Sequence, residues 1–307
     1  MTAFVVRRLL QAIPIALVVA TLVFSLIHMI PGDPVELMLG EGAQAADVEA
    51  LRDDLGLNRP LGEQYLDFLT GLVTGDLGTS ITSGRRPVTE VLWEHYPATL
   101  ELALAGMLVA LLIALPLGIV AALKRDGWID HGSRFFALLG VSMPNFWLGP
   151  MLILLVSIYW GLLPVSGRGT LAHLILPAIT LGTALAGLLT RIVRSSLAEE
   201  LHRPYLTTAR AKGLRSRTVI LRHALRNALL PVVTVVGLQF GALLTGTIIT
   251  ETIFSWPGLG RLLIQSIRAR DYPLIQAGVL VIALTYVLVN LVTDVVYAWL
   301  APRIRYE

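Results

Sequence analysis

The sequence predicts an all-α integral membrane protein with six transmembrane helices and a helical insertion after the first of them. Hydrophobic residues make up 55% of the 307 residues and charged residues only 15%, whereas soluble domains carry about 25% charged residues. The mean hydropathy is +0.72. Several apolar runs approach about 20 residues, the length that crosses the bilayer core as a helix. The chain has no cysteine, which excludes disulfides and thiolate metal sites.

Six apolar runs define the predicted spans. The first follows Arg7 and Arg8 as in a signal peptide, but it is long and lacks a small-residue cleavage site, so we expect a retained anchor. The predicted spans are residues 9–30, 99–123, 135–160, 174–193, 228–250 and 275–300. The chain then divides into an N-terminal end with the first span (1–30), a periplasmic helical region (31–97) and a five-span core (98–307).

The distribution of basic residues predicts the orientation. An even number of spans places both termini on one side of the membrane. That side receives 16 of the 24 Lys and Arg residues, at positions 7–8, 124–134, 191–226 and 303–305. Because positively charged loops stay in the cytoplasm, we expect a cytoplasmic N-terminus and a cytoplasmic C-terminus.

The region of residues 31–97 has helical periodicity of its own. Pro60 suits the start of a helix, and residues 75–78 suit a turn. Two short amphipathic helices are expected, which either meet a partner or merely cover the bundle. Their apolar positions are Val48, Leu51 and Leu55 in the first helix and Leu61, Tyr65, Phe68, Leu69 and Leu72 in the second.

Small residues and prolines in the spans predict how the helices pack. Gly118, Gly182 and Gly237 are expected at close helix contacts, since packing holds helices together in lipid. Prolines remove backbone donors and should bend or break the second and third spans, which suits either a water-lined path or an ordinary kinked bundle. They are Pro116, Pro144 and Pro150.

A strongly basic segment, residues 205–231, lies between the fourth and fifth spans. Pro204 can start a helix through residue 212, Gly213 permits a turn, and Ser216 can cap a second helix through Arg226. The segment can dock on a protein or lie on anionic lipid, and its small alanines favour a protein. The flanking spans exclude DNA binding. Its positive residues are Arg210, Lys212, Arg215, Arg217, Arg222, Arg226 and, when protonated, His223.

No residues in the chain predict ATP hydrolysis or other covalent chemistry. Lys124 and Lys212 are the only lysines, and neither stands in a phosphate-binding loop motif. Ion coupling requires ionisable groups within the membrane. The candidates are Glu101, Glu251 and Asp294; Asp294 can instead pair with Arg303 or Arg305. The energy for transport is therefore expected in another subunit.

The segment Thr207–Gly213 resembles the EAA loop of ATP-binding-cassette importer permeases. The usual acidic residue is missing at Thr207, and Arg226 stands where proline is usual. Both departures resemble the dipeptide, oligopeptide and nickel branch of that family. Further segments of the same resemblance are residues 31–34, 75–78, 97–102, 142–149, 256–261 and 270–273.

The resemblance implies a type I importer permease, the first of two permease subunits, in a bacterial plasma (inner) membrane. It implies a second homologous permease, two ATPase subunits that hold ATP and Mg, and a periplasmic or extracellular substrate-binding protein, with no cofactor on this chain. The ATPase-coupling residues would be Thr207, Thr208, Ala209, Arg210, Ala211, Lys212, Gly213, Arg215, Arg222, His223 and Arg226. The gate or binding-protein contact would be Trp256, Pro257, Gly258, Gly260 and Arg261.

The leading hypothesis for function is import of di- or oligopeptides. Relatives of the same branch move nickel or glutathione, and both remain open. An ion-coupled secondary carrier is the alternative from another class, which paired intramembrane acids or an inverted repeat would favour.

Overall fold

The computed structural model describes residues 2–29, 34–40, 44–54 and 56–300, and all structural statements concern these residues. They are mostly helical, with one isolated β-bridge between Thr79 and Pro87. The helices are α1 Thr2–Met29, α2 Pro34–Leu39, α3 Ala45–Asp54, α4 Leu61–Thr74, α5 Val88–Leu123, α6 Trp128–Ser142, α7 Asn145–Leu152, α8 Leu171–Glu200, α9 Pro204–Ala211, α10 Ser216–Thr218, α11 Leu225–Ile253, α12 Leu259–Ala269 and α13 Tyr272–Leu300.

The described chain forms two compact units. The N-terminal unit comprises Thr2–Ala98 and Gly258–Val287, and the core unit comprises Thr99–Pro257 and residues 288–300. Residues of α5 and α13 contribute to both units.

Close contacts through glycine hold the helices of the core unit together. A Cβ on Gly182 would lie 2.5 Å from the carbonyl oxygen of Gly106, and one on Gly237 would lie 2.0 Å from Thr293. A Cβ on Gly118 would lie 2.7 Å from the side chain of Val193 on α8. The prediction of close packing at the glycines of the spans is therefore confirmed, and any side chain there would push two helices apart.

The third predicted span is broken. Helix α6 ends at Ser142, α7 begins at Asn145, and their axes differ by 101°. Pro144 stands between them, where it can donate no backbone hydrogen bond. The break predicted within the third span is therefore confirmed at Pro144, whereas Pro150 lies inside α7 and does not break it. A π-helical stretch, Ile153–Tyr159, completes this part of the chain.

The count of six spans stays a prediction. Among the described residues, four helices are long and apolar enough to cross a membrane, and the bent pair α6–α7 makes five. The apolar stretch of α1, Leu10–Ser25, is shorter than a full span. Helix α5 continues without interruption through Pro116, which therefore does not break it.

The N-terminal unit confirms the two short helices predicted after the first span, as α3 and α4, and adds α2. Helix α4 follows Pro60 and is capped at its end by Gly75, which has φ +81°. Its Tyr65 hydroxyl lies 2.7 Å from that of Thr21 on α1. Residues 31–33 of the predicted motif at 31–34, and Leu55 of the predicted apolar face, lie outside the described residues.

Candidate coupling site

The basic segment contains a short helix that ends at a glycine turn. Helix α9 begins with Pro204 in its first turn, as predicted. Gly213 has φ +77° and donates its N–H to the carbonyl oxygen of Arg210 at 2.9 Å. Since L-residues are strained at this φ, the predicted role of Gly213 as a turn is confirmed.

The second helical piece differs from the prediction. Ser216 is the first residue of α10 and makes no capping hydrogen bond, because Arg215 occupies the cap position. A π-helical stretch, Val219–Ala224, then leads directly into α11. The predicted cap at Ser216 and helix end at Arg226 are wrong, since the backbone stays helical from the basic segment into the apolar one.

Buried apolar side chains attach this segment to the ends of three long helices. Leu206, Val219 and Ala224 are fully buried, and they pack in one cluster with Ala122 of α5 and Leu197 of α8. Burying a leucine contributes about 1.5–3 kcal/mol. Helix α9 is therefore fixed to the bundle through its inner face.

Hydrogen bonds around Tyr205 add a polar attachment. The Tyr205 hydroxyl donates to Glu200 Oε1 at 2.5 Å and accepts from Asn227 Nδ2 at 2.9 Å. Partial burial and the bond to Glu200 raise the pKa of Tyr205, so the hydroxyl keeps its proton at neutral pH. These bonds connect the end of α8 to the start of α11, and no spacing in the sequence indicated them.

The outward face of the segment is basic and unpaired. Thr207, Thr208 and Ala211 are exposed, while Ala209 and His223 are half-buried. Leu214 and Leu221 are exposed apolar residues, at 40% and 46%. Within the described residues, six exposed cations have no ion-pair or hydrogen-bond partner for their side chains: Arg210, Lys212, Arg215, Arg217, Arg222 and Arg226.

An ion cluster that the sequence analysis missed lies where α6 packs on α8. The Asp130 carboxylate is buried and accepts from Arg194 Nε and Nη2, both at 2.7 Å, and from Arg134 Nη2 at 2.7 Å. The backbone N–H of Asp126 adds a bond at 3.0 Å. The spacing of Asp130 and Arg134 is visible in the sequence, but Arg194 comes close only in the fold.

Of the predicted gate residues, Trp256 and Pro257 belong to the core unit. Trp256 is only 1% exposed, and its backbone N–H donates to the carbonyl oxygen of Glu251 at 2.8 Å. The guanidinium of Arg168 lies 5.8 Å from the Trp256 ring centroid and pairs with Glu101 at 2.6 Å. The Trp256 side chain is thus packed inside this unit.

Gly258, Gly260 and Arg261 belong to the N-terminal unit. Gly258 caps α12, Gly260 is buried and Arg261 is half-buried. In the same unit Asp271, from the predicted motif at 270–273, is buried. It accepts hydrogen bonds from the Ser80 hydroxyl at 2.6 Å and the Thr82 hydroxyl at 2.7 Å.

The three acids considered for ion coupling do not come together. Glu251 is buried and accepts from the Thr99 hydroxyl at 2.7 Å, while Glu101 pairs with Arg168. Asp294 is half-buried; its suggested partners, Arg303 and Arg305, lie outside the described residues. Within the described part of the chain, no three acidic or histidine side chains are grouped to hold an ion.

The fold and the site together define a class: a helical membrane protein that presents an ordered, unpaired basic loop between two apolar helices. Solved structures have the same fold. The inward-facing MetNI methionine ABC transporter aligns with a TM-score of 0.57, 17% identity, and coverage of 68% of this chain and 96% of that one. A second crystal form of it aligns with a TM-score of 0.56 and 16% identity.

Sequence comparison identifies the family. Residues 114–306 match the binding-protein-dependent transport system inner membrane component family, and residues 1–103 match its N-terminal region. The glutathione transport system permease protein GsiC of Pectobacterium atrosepticum is 47% identical, and the dipeptide transport system permease protein DppB of Escherichia coli K12 is 46% identical. Each alignment covers the whole of both chains. The chain belongs to this family of ABC importer permeases.

Proposed function

We propose that this chain is one of two permease subunits of an ATP-driven importer for small peptides. The names of its relatives support a peptide substrate, because one is a dipeptide permease and the other a glutathione permease. Both substrates carry amide bonds and free carboxylates. A second permease subunit, two ATPase subunits and a substrate-binding protein complete the transporter.

The unpaired basic face of residues 207–226 is the observation that carries the coupling proposal. Six cations and two exposed leucines form a surface suited to an acidic, partly apolar groove. ATP and Mg bind to the ATPase subunits. Closure of the ATPases would then move α9, and the buried contacts of Leu206 would transmit that movement to α5, α8 and α11.

The proposed orientation places this surface in the cytoplasm of a bacterial cell, where ATP is available. The charge distribution supports it, with 16 of the 24 Lys and Arg on that side. Helices α3 and α4, and residues 256–261, would then lie towards the outside of the membrane and the substrate-binding protein.

Charge reversal of the basic face tests the coupling proposal. In the assembled transporter, Arg215→Glu and Arg222→Glu are expected to weaken copurification of the ATPase subunits and to lower peptide uptake by about tenfold or more. Each change replaces attraction to an acidic groove with repulsion. Arg268→Glu is the matched control, because Arg268 is an exposed cation outside this face.

The proposal requires Arg215→Glu and Arg222→Glu to retain less of the ATPase subunits and to take up less peptide than Arg268→Glu does. If both variants retain the ATPase subunits and take up peptide as Arg268→Glu does, the basic face does not bind the ATPase subunits. If the loss of ATPase subunits from these variants instead depends on the anionic lipid content of the membrane, the basic face lies on lipid.

A further inference from the structure

A small cavity in the core unit brings together three polar side chains from three helices. It has a volume of about 260 Å³ and lies among α6, α7, α8 and α11. Asn145 of α7, Arg191 of α8 and Gln239 of α11 line it. The other lining residues are aliphatic, including Leu185 and Leu188.

None of these three side chains has a partner within the described residues. Arg191 makes no ion pair and no hydrogen bond, whereas Arg194, one turn further along α8, binds Asp130 with two nitrogens. Asn145 and Gln239 likewise make no side-chain hydrogen bond. Asn145 and Gln239 are half-buried, and Arg191 is exposed at the rim of the cavity. Ionisable groups beside transmembrane spans mark pathways or binding sites.

The position of Arg191 keeps it away from the helix end. It lies nine residues before Glu200, where α8 ends, which corresponds to about 13 Å along the helix axis. A second cavity, of about 240 Å³ between α6 and α8, also reaches Arg191. Arg191 therefore lines open space on two sides.

We propose that this cavity binds the free carboxylate end of a peptide as the peptide crosses the membrane. This inference deepens the proposed function and depends on it. A guanidinium holds a carboxylate with two parallel hydrogen bonds. The amides of Asn145 and Gln239 each offer a donor and an acceptor, which matches the N–H and C=O of a peptide bond.

The local backbone and the size of the cavity agree with this ligand. Helix α7 begins at Asn145 after the break at Pro144, so the positive end of its dipole borders the cavity. Small-molecule pockets span about 300–1,000 Å³. A cavity near the lower limit fits one end of a peptide, not a long chain.

The absence of native cysteine provides a direct test. Arg191→Cys gives a single thiol on this subunit, studied in the whole transporter in liposomes, with its binding protein and with the cysteines of the other subunits replaced. We expect uptake of alanylalanine or S-methylglutathione to fall about 10- to 100-fold, since a charge-assisted contact is lost. Arg268→Cys, outside the cavity, is the matched control.

Thiol reagents of opposite charge then separate a binding role from a folding defect. An aminoethyl reagent, which returns a cation to position 191, is expected to restore part of the uptake. A sulfonatoethyl reagent, which adds an anion, is expected to restore none. Saturating peptide should slow the labelling of Arg191→Cys but not that of Arg268→Cys.

If Arg191→Cys does not assemble into the transporter, Gln239→Cys serves as a second test. Peptide should slow the labelling of Gln239→Cys as well. The inference is overturned if uptake of Arg191→Cys stays within twofold of the unsubstituted transporter, or if both reagents act alike. It is also overturned if labelling changes with anionic lipid or with removal of the second permease but not with peptide. If the unsubstituted transporter takes up no peptide at all, the proposed function itself fails.

Discussion

At the scale of single residues, Gly213 forms the turn between α9 and α10. Its φ of +77° suits glycine, and a Cβ there would meet nothing within 4 Å. Space is therefore not the constraint at this position; backbone conformation is.

We expect Gly213→Pro to abolish ATP-dependent uptake while leaving membrane insertion intact. Proline fixes φ near −65° and removes the N–H that bonds to Arg210. Gly213→Ala is the matched variant: it keeps the N–H and costs about 1–2 kcal/mol for the left-handed conformation, so it should retain most uptake. Transport assays on both variants check this, and normal uptake by Gly213→Pro would remove the turn from the mechanism.

The Asp130 carboxylate is expected to be a strong contributor to stability. Asp130→Asn leaves two guanidinium groups facing a neutral amide, and loss of one partner from a buried ion cluster costs about 3 kcal/mol. Glu199→Gln removes the exposed pair with Arg203, whose side chains are 74% and 55% exposed, and should cost about 0–1 kcal/mol. Thermal unfolding in detergent should show a clear loss of Tm for Asp130→Asn only; equal losses would contradict the assignment.

At the scale of elements, α9 and the turn that follows it have separate roles. Leu206 on the inner face is fully buried, whereas Leu214, just beyond the helix, is 40% exposed. One side chain attaches the element to the bundle, and the other is available to a partner.

We expect substitutions of these two leucines to have different effects. Leu206→Ala should cost about 2–5 kcal/mol of packing and lower both Tm and the peptide imported per ATP hydrolysed. Leu214→Ala should leave Tm unchanged and weaken copurification of the ATPase subunits. Unfolding and pull-down measurements on both variants check this, and a Tm loss in Leu214→Ala would show that the exposed leucine is structural.

Sequence reasoning succeeded where a local rule decides the structure. Pro204 at a helix start, Gly213 at a turn and Pro144 at a break all follow from backbone chemistry within a few residues. It failed at Ser216, because Arg215 occupies the cap position, and at Arg226, because the helical backbone continues into α11.

Long-range contacts could not be predicted from spacing. Asp130 and Arg194 are 64 residues apart in the chain, and the cavity at Arg191 takes residues from α7, α8 and α11. Such groups meet only after the helices pack. The candidate coupling residues were accessible to sequence reasoning because they lie within one short segment.

At the scale of the whole molecule, the described residues offer no ATP-binding motif and no grouped ion ligands. In the proposed transporter, energy would enter this chain through contacts with the ATPase subunits. Its internal packing is tight at the glycine contacts, so a push on α9 would move helices as units and not deform them separately.

We therefore expect the purified chain, reconstituted alone in liposomes, to hydrolyse no ATP and to move no peptide under a proton or sodium gradient. Adding the second permease, the ATPase subunits with Mg and ATP, and the binding protein should produce uptake against a gradient. The same mixture built with Arg215→Glu and Arg222→Glu should retain the chain in the membrane but lose uptake. Uphill transport by the lone chain would contradict the proposal that other subunits supply the energy, because the energy would then have to come from residues inside the bundle.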